Sequence, residues 1–384
     1  MKSNPYVSVI IPAYNAGTTI AQTISSVLMQ SFEDFEIIVV NDGSSDNTAS
    51  IVEGLSKNDS RVKFISQSNR GVAVARNCAI SAARGEFIAP IDADDLWHST
   101  YLEKQIRNIR KDSDAALVYS WSRYIDLDGN IVWTKHYPVL GGRVFARQIY
   151  WNIVGNGSAI LFKKSAALEF GGYDERVVPT EDFMLQLKIS SRYRFAVTPE
   201  YLVGYRQKAR QESTYGDRSY HSCIRTLEFV RGECEGVPEQ AVHWALGTLH
   251  FAHAYRAYLA GDLIEATSLV FLAGRSDLLG TCARLALFAK RRARNGRLKR
   301  AQVPVQAPAR PFPFLEARPE DIVPPSKPDL GARRLEYLRR LDEMADKQYK
   351  SLSESVSRIG NIRAGTAPRS AADCTAQEVK KQRC

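Results

Sequence analysis

Residues 85–95 read Gly85-Glu86-Phe87-Ile88-Ala89-Pro90-Ile91-Asp92-Ala93-Asp94-Asp95, so a short apolar run ends in three carboxylates. A run of this length predicts a buried strand whose carboxyl end delivers charge to a crevice, and in an open α/β sheet that edge is where ligands bind. Acids this close repel one another unless a cation neutralises them, and carboxylate oxygens suit Mg²⁺ or Mn²⁺. The alternative is an acidic helix start, with Asp94 or Asp95 capping a helix that carries 96–109.

Outward from this run, the N-terminal half alternates short apolar strands with amphipathic helices. Ile20, Ile24 and Val27, for example, place one apolar stripe on the helix after the first strand. Strands separated by helices need crossover connections, so we predict an α/β fold with a mostly parallel, Rossmann-like sheet. The predicted strands are Val7–Ile11, Glu36–Val40, Val62–Ile65, Phe87–Ile91 and Ala115–Tyr119.

The turns after the first two strands lack two common nucleotide-binding motifs. The first turn, 12–17, has one glycine and a proline, so the G-x-G-x-x-G of a dinucleotide-binding domain is missing, and no Walker A loop follows any strand. A nucleotide-dependent oxidoreductase is therefore disfavoured. Asp42 ends the second strand, where it could accept hydrogen bonds from a base or ribose or simply form a turn with Gly43.

Composition predicts a globular chain with basic appendages. The 384 residues are 44% hydrophobic, and neither a signal peptide nor an apolar stretch long enough to span a membrane is expected. Six cysteines without paired spacing predict neither a zinc site nor a disulfide framework, which favours a cytoplasmic setting. The net charge of +10 is concentrated, because 278–315 holds nine bases and no acid. The remainder is close to neutral, so we expect no nucleic-acid partner.

Six ordered segments resemble the family 2 glycosyltransferases, which have the A-type nucleotide-sugar fold. The resemblance covers roughly 6–210, and the segments are Val9–Asn15, Glu36–Ser44, Asn69–Asn77, Gly85–Asp95, Phe170–Glu175 and Thr180–Asp182.

For the donor side, the resemblance implies a nucleoside-diphosphate sugar, with UDP favoured over GDP, and Mn²⁺ or Mg²⁺ as the cofactor. Asp94 would hold the ion, and Asp92 would reach the ribose or the ion's shell. Arg76 would contact base or phosphate, or alternatively lie on a solvent-exposed helix face. The implied nucleoside contacts are Pro12, Ala13, Tyr14, Asp42 and Asn69.

For the acceptor side, the resemblance implies that Asp182 is the catalytic base and that Glu181 orients the acceptor. Their alternative is an acidic first turn of a helix. One base opposite one leaving group implies a single displacement with inversion. The Gln-x-x-Arg-Trp segment of processive members is absent at 190–194, which favours addition of a single sugar. Lys208 or Arg210 stands near the position where many relatives have a histidine.

Aromatic residues near the acceptor half have two interpretations. Asp128-Gly129-Asn130 predicts a β-hairpin turn, and Trp133 or Trp151 could stack on a sugar or belong to an ordinary core.

The domain organisation follows from the change in pattern after residue 215. We predict a transferase domain over 1–215, divided into a nucleotide-sugar half (1–115) and an acceptor half (116–215). Helices then dominate, with a hairpin turn at Gly261–Asp262. The rest comprises a helical region over 216–300 with a basic end, a Pro-rich linker over 301–330, a helix over 331–350 and a disordered tail over 351–384.

The sequence therefore predicts a metal-dependent, inverting glycosyltransferase that moves one sugar to a glycan or lipid-linked acceptor, in cell-surface polysaccharide biosynthesis. The alternative is a non-catalytic nucleotide-sugar-binding or scaffold protein. The basic stretch 284–300 predicts attachment to an anionic membrane surface, with the enzyme peripheral at the cytoplasmic face. The same bases could instead bind an acidic partner protein.

Overall fold

The computed structural model describes residues 4–134, 139–206, 217–295 and 333–347. Residues 1–342 form one compact unit and 343–384 a second one, of which only the helical residues 343–347 are described. The predicted linker (301–330) and tail (351–384), together with Lys208, Arg210 and 296–300, lie outside the described residues.

Nine strands form one curled sheet within the described residues, in the order β3-β2-β1-β4-β8-β6-β9-β5, with β7 paired to β6. The strands are β1 (Val7–Ala13), β2 (Phe35–Asp42), β3 (Val62–Gln67), β4 (Phe87–Pro90), β5 (Leu96–Trp97), β6 (Ala115–Ile125), β7 (Ile131–Thr134), β8 (Ile160–Lys163) and β9 (Arg194–Arg206).

The first half of the sheet is parallel, as predicted. Strand β1 lies between β2 and β4, with Val7 opposite both Phe35 and Phe87, and β3 extends the sheet beyond β2. Every residue of β1 and β2 is buried, because helices cover both faces of the sheet. The α/β prediction is confirmed.

The second half of the sheet is mixed. Strand β8 runs antiparallel to both β4 and β6, whereas β9 runs parallel to β6. The predicted hairpin is present, because β6 and β7 pair antiparallel across a turn in which Gly129 has a φ of +86°. Antiparallel neighbours need no long crossover, and β6 and β7 are joined directly by the short turn 126–130.

Helices pack on the two faces of the sheet. Val9 and Ile11 point to the core under α1, α2 and α4, whereas Ile10 points to the core under α3, α6 and α7. The helices of this region are α1 (Ile20–Leu28), α2 (Thr48–Asn58), α3 (Val72–Ala82), α4 (Tyr101–Ile109), α5 (Phe145–Tyr150), α6 (Lys164–Glu169) and α7 (Glu181–Arg192).

The alternative of a capped helix over 96–109 is wrong. Leu96 and Trp97 form β5, which pairs with β9, and α4 begins only at Tyr101. The Asp95 carboxylate is buried and accepts a hydrogen bond from the Arg206 amide rather than from an amide of a following helix turn. Pairing with the distant strand β9 therefore outweighs the local preference for a helix after the acids.

The C-terminal part of the unit is helical and includes the predicted hairpin. Gly261 adopts a left-handed φ of +88° and the Asp262 carboxylate accepts from the Glu265 amide, so one helix stops and the next starts within two residues. Helical residues lie at 333–347, inside the predicted helix over 331–350. The helices before the gap are α8 (Asp217–Glu233), α9 (Glu239–Ala260), α10 (Leu263–Ser276) and α11 (Leu278–Asn295).

Buried ion pairs connect residues 334–342 to the rest of the first unit. Arg334 donates two 2.6 Å hydrogen bonds to Asp277, and Arg147 pairs with Asp342 at 2.8 Å. Leu338 between them is fully buried. None of the described helices combines the length and hydropathy of a membrane-spanning segment.

Candidate active site

A cleft of about 670 Å³ opens at the carboxyl ends of β1, β2 and β4. Parallel strands deliver their carboxyl ends to one edge of the sheet, which brings separate turns of the chain together there. Ten of the predicted site residues line this cleft: Pro12, Ala13, Tyr14, Asp42, Asn69, Arg76, Asp92, Asp94, Glu181 and Asp182. Trp133 and Trp151 are half-exposed and are not among the described residues that line it.

Asp42 shapes the nucleoside side of the cleft. Its Oδ1 accepts from the Arg70 amide at 2.9 Å and its Oδ2 from the Gly71 amide at 2.8 Å, and Gln67 donates a third hydrogen bond. The carboxylate therefore holds the turn that precedes α3 and also borders the cleft. The interpretation that Asp42 forms a turn with Gly43 is wrong, because in that local turn the Ser44 amide donates to Asn41 Oδ1.

The loop after β1 is fixed by the loop after β2. The amide of Ala16 donates to Thr48 Oγ1 and the amide of Gly17 to Asp46 Oδ2, at 2.8 and 2.9 Å. Asn15 has a φ of +49°, a conformation that asparagine tolerates better than most residues. These contacts leave the Tyr14 side chain 55% exposed at the cleft, where an aromatic ring can stack on a base.

The acidic turn after β4 is held from several sides. The Asp92 amide donates to Ser158 Oγ at 3.0 Å, and Thr23 Oγ1 donates to the carbonyl of Asp95 at 2.9 Å. Burial raises the pKa of Asp95 well above its usual value, and the neighbouring charges of Asp94 and Asp92 raise that pKa further. Ionisation of Asp95 beside two other acids is therefore opposed unless a positive charge lies nearby.

This turn fits a divalent cation. Among the described residues, no three His, Cys, Asp or Glu side chains form a metal cage. Mg²⁺ and Mn²⁺ at phosphate-transfer sites do not need a cage, because one or two carboxylates and the substrate phosphates complete the shell. Asp92 and Asp94 line the cleft, and the buried Asp95 Oδ2 behind them has no hydrogen-bond partner among the described residues. A cation would relieve this repulsion.

Arg76 joins the two halves of the cleft. Its guanidinium is buried, with Nη1 2.6 Å from Glu181 Oε1 and Nη2 2.6 Å from Asp92 Oδ1. The guanidinium carbon lies 5.1 Å from the centre of the Tyr173 ring. The alternative of a solvent-exposed Arg76 is therefore wrong, whereas its contact with base or phosphate stays a prediction. The bridge was missed at the sequence level, because its ends lie 105 residues apart.

Asp182 lies in the first turn of α7 beside this bridge, so the acidic first turn and the candidate base coincide. Burial raises the pKa of Asp182 to about 7, the Glu181 carboxylate contributes in the same direction, and Arg76 opposes both. The Asp182 Oδ1 accepts from the Phe183 amide at 2.7 Å. A Cβ on Gly157 would lie 3.2 Å from Asp182 Oδ2, so a glycine there leaves this oxygen room toward the cleft. A carboxylate with a pKa near neutrality is suited to general base catalysis.

Two titratable residues of the cleft were not predicted from the sequence. Arg218, in the first turn of α8, and Tyr205, near the end of β9, line it beside the acids and the candidate base. Neither belongs to a segment that resembles the family motifs, so only the tertiary structure identifies them.

Removing the Arg76 side chain should destabilise the fold. In Arg76→Met, Glu181 stays buried without its counter-charge, and breaking one side of a buried pair costs about 3–5 kcal/mol of unfolding free energy. Urea unfolding measures this loss, and the double variant Arg76→Met/Glu181→Gln should recover most of it. Arg84→Met is the matched control, because its partner Glu36 keeps its ion pair with Lys63. Equal losses in Arg76→Met and Arg84→Met would contradict the bridge.

The sheet and the cleft define an α/β protein whose ligand site lies at the carboxyl ends of parallel strands. Residues 8–171 match the family model described as "Glycosyl transferase family 2". An uncharacterized glycosyltransferase of Haemophilus influenzae is 30% identical over 237 residues, covering 59% of this chain and 73% of that protein. The chain belongs to glycosyl transferase family 2.

Longer relatives match only in part. The chondroitin synthase of Escherichia coli is 32% identical over 191 residues, which cover 50% of this chain and 27% of that protein. The chain thus spans about a quarter of the length of that relative.

Solved structures share the fold. Residues 1–349 of S. aureus TarS, crystallised with UDP-GlcNAc, superpose with a TM-score of 0.55 at 21% identity, over 70% of this chain and 80% of that one. A mannosyltransferase of Pyrobaculum calidifontis in complex with GDP-Man and Mn²⁺ gives a TM-score of 0.53 at 21% identity, over 75% and 81% of the two chains.

Proposed function

We propose that the protein moves one sugar from a nucleoside-diphosphate sugar to a glycan or lipid-linked acceptor, with inversion at the anomeric carbon. The observation that carries this proposal is that Asp94, Asp92 and the candidate base Asp182 line one cleft, with Arg76 bridging Asp92 and Glu181. Charge stabilisation for the leaving group and proton removal for the nucleophile are thereby available in one cavity.

On the donor side, Asp94 and Asp92 would hold Mg²⁺ or Mn²⁺ against the diphosphate. The bound ion supplies Lewis-acid stabilisation of the charge that grows on the leaving group. Arg218 adds a positive side chain at the cleft. Tyr14 and the turn that Asp42 holds border the space for the nucleoside.

On the acceptor side, Asp182 takes the proton of the attacking hydroxyl as the acceptor oxygen bonds to the anomeric carbon and the bond to the diphosphate breaks. Glu181 Oε1 forms the ion pair with Arg76. Its buried Oε2 has no hydrogen-bond partner among the described residues, so it could accept a hydrogen bond from the acceptor. One displacement with one base turns an α-linked donor into a β-linked product.

The proposal also extends to the nucleotide of the donor and to the biosynthetic setting. UDP-sugars are proposed ahead of GDP-sugars, and cell-surface polysaccharide biosynthesis is the proposed setting, which the names of the chondroitin synthase relatives favour. A panel of UDP- and GDP-sugars with Mn²⁺ tests the proposal by calorimetry and by donor hydrolysis. Binding without hydrolysis or transfer would instead indicate a non-catalytic nucleotide-sugar-binding protein.

The pH profile of transfer should report Asp182. Since a base must be deprotonated to act, and the pKa of Asp182 is raised to about 7, kcat/KM should fall tenfold per pH unit below that pKa and level off above it. The pH profile is measured from initial rates at saturating Mn²⁺ between about pH 5.5 and 8.5, a range that spans the titration of a group with this pKa. A rate that is already constant at pH 6 would exclude Asp182 with this pKa as the base.

The proposed place of action is the cytoplasmic face of a membrane, where the enzyme is peripheral. The support is the basic stretch 284–300, since each Lys or Arg near an anionic surface contributes about 1 kcal/mol of attraction.

A further inference from the structure

The turn between α9 and α10 carries exposed apolar side chains. Leu259, Leu263 and Ile264, called the apolar tip below, are 65%, 61% and 84% exposed. The turn is well defined, because Gly261 takes the left-handed conformation and Asp262 caps α10. Large apolar side chains clustered on a fixed turn mark an interaction surface rather than scattered exposed residues.

The C-terminal part of helix α11, whose sequence is basic, lies at the same end of the hairpin. The Phe288 ring lies 5.8 Å from Tyr255 and 5.6 Å from Tyr258, measured between ring centres. Both tyrosines belong to the last turns of α9, so the C-terminal part of α11 lies at the end of α9 that carries the apolar tip. The helical backbone continues there to Asn295 through the sequence Lys290-Arg291-Arg292-Ala293-Arg294.

The acids near the apolar tip are already engaged. Asp262 accepts from the Glu265 amide, and Glu265 Oε1 lies 3.5 Å from His253 Nε2. From 278 to 315 the sequence holds nine bases and no acid. A second copy of the chain seated on this surface would bring two such basic runs together, which electrostatic repulsion opposes. An anionic bilayer offers both acyl chains and negative headgroups.

We propose that the apolar tip inserts into the boundary between acyl chains and headgroups of an anionic bilayer, while the bases of 290–294 lie at the headgroup phosphates. The surface is independent of the cleft residues, so this inference goes beyond the transfer reaction and can fail separately from it. The apolar contact with the membrane is thereby assigned to a turn that lies 26 or more residues before the basic run 290–294. The basic residues alone would not predict this contact.

Sedimentation of the full chain with phosphatidylcholine vesicles, with and without phosphatidylglycerol, tests the proposal. Binding should require phosphatidylglycerol and weaken with salt. Leu263→Ser/Ile264→Ser should weaken binding by about tenfold, as expected for lost burial of large apolar side chains. Neutralising Lys290, Arg291, Arg292 and Arg294 to Gln should weaken it by about a hundredfold or more.

Met29→Ser and Leu168→Ser are the matched controls, because these exposed side chains, at 65% and 54%, lie on the transferase fold away from α9–α11. They should bind vesicles as the unaltered chain does. Donor hydrolysis should be equal in all variants, so loss of binding is separated from loss of folding or activity. Unchanged vesicle binding of Leu263→Ser/Ile264→Ser would overturn the proposal, as would loss of self-association in that variant without an effect on vesicles.

Discussion

Replacing Asp182 by Asn is expected to abolish sugar transfer while donor binding persists. Asn has nearly the same shape but cannot take the proton of the acceptor hydroxyl, and a positioned general base contributes about 10²–10⁴-fold to the rate. Single-turnover transfer and calorimetric donor affinity, measured on the same preparation, separate these two effects.

The stability of Asp182→Asn provides its own control. The pKa of Asp182 is raised to about 7, above the ordinary value of 3.8, so the folded state opposes ionisation of this carboxyl. Stability therefore falls as pH rises from about 4 to about 7, because in this range the unfolded chain releases the proton while the folded protein retains it. The Asn variant should consequently be at least as stable as the unaltered protein at pH 8. Transfer at an undiminished rate by this stable variant would refute the base assignment.

Replacing Asp94 by Ala is expected to remove metal-dependent donor binding. The carboxylate proposed to hold the ion is lost, and mutation of even the outer shell of a metal site costs about 10–100-fold in metal affinity, so a larger loss is expected here. Titration of UDP with and without Mn²⁺, and Mn²⁺ binding measured by electron paramagnetic resonance, give readouts that do not depend on turnover.

Asp128→Ala serves as the matched control for Asp94→Ala. Asp128 is an exposed acid in the hairpin turn between β6 and β7, outside the described lining of the cleft. Its loss removes the same charge and should leave the Mn²⁺ dependence intact. If Asp94→Ala and Asp128→Ala retain the same Mn²⁺-dependent affinity for UDP, Asp94 is not the metal ligand.

Local patterns in the chain were sufficient for the parallel half of the sheet, and the family resemblance named most of the titratable residues of the cleft. The alternation of apolar strands with amphipathic helices predicts β1 to β4, because the spacing of apolar residues within a short stretch of sequence distinguishes a strand from a helix. Since parallel strands present their carboxyl ends at one edge, residues as distant as Asp42 and Asp94 were expected to share a crevice, and they do. Gly261 and Asp262 likewise end one helix and begin the next, so two adjacent residues encode this turn.

Contacts between distant segments were decided by the tertiary structure alone. Leu96 and Trp97 form a strand because β9 is available to pair with them, although the residues around them favour a helix start. The Arg76 bridge and the burial of Asp95 against Arg206 depend on chain segments more than 100 residues apart, and no local periodicity encodes such a pairing. The pKa of Asp182 has the same origin, since its shift requires both burial in the assembled cleft and the neighbouring charges. The sequence thus specified which side chains reach the edge of the sheet, and packing across the sheet determined their partners and their protonation.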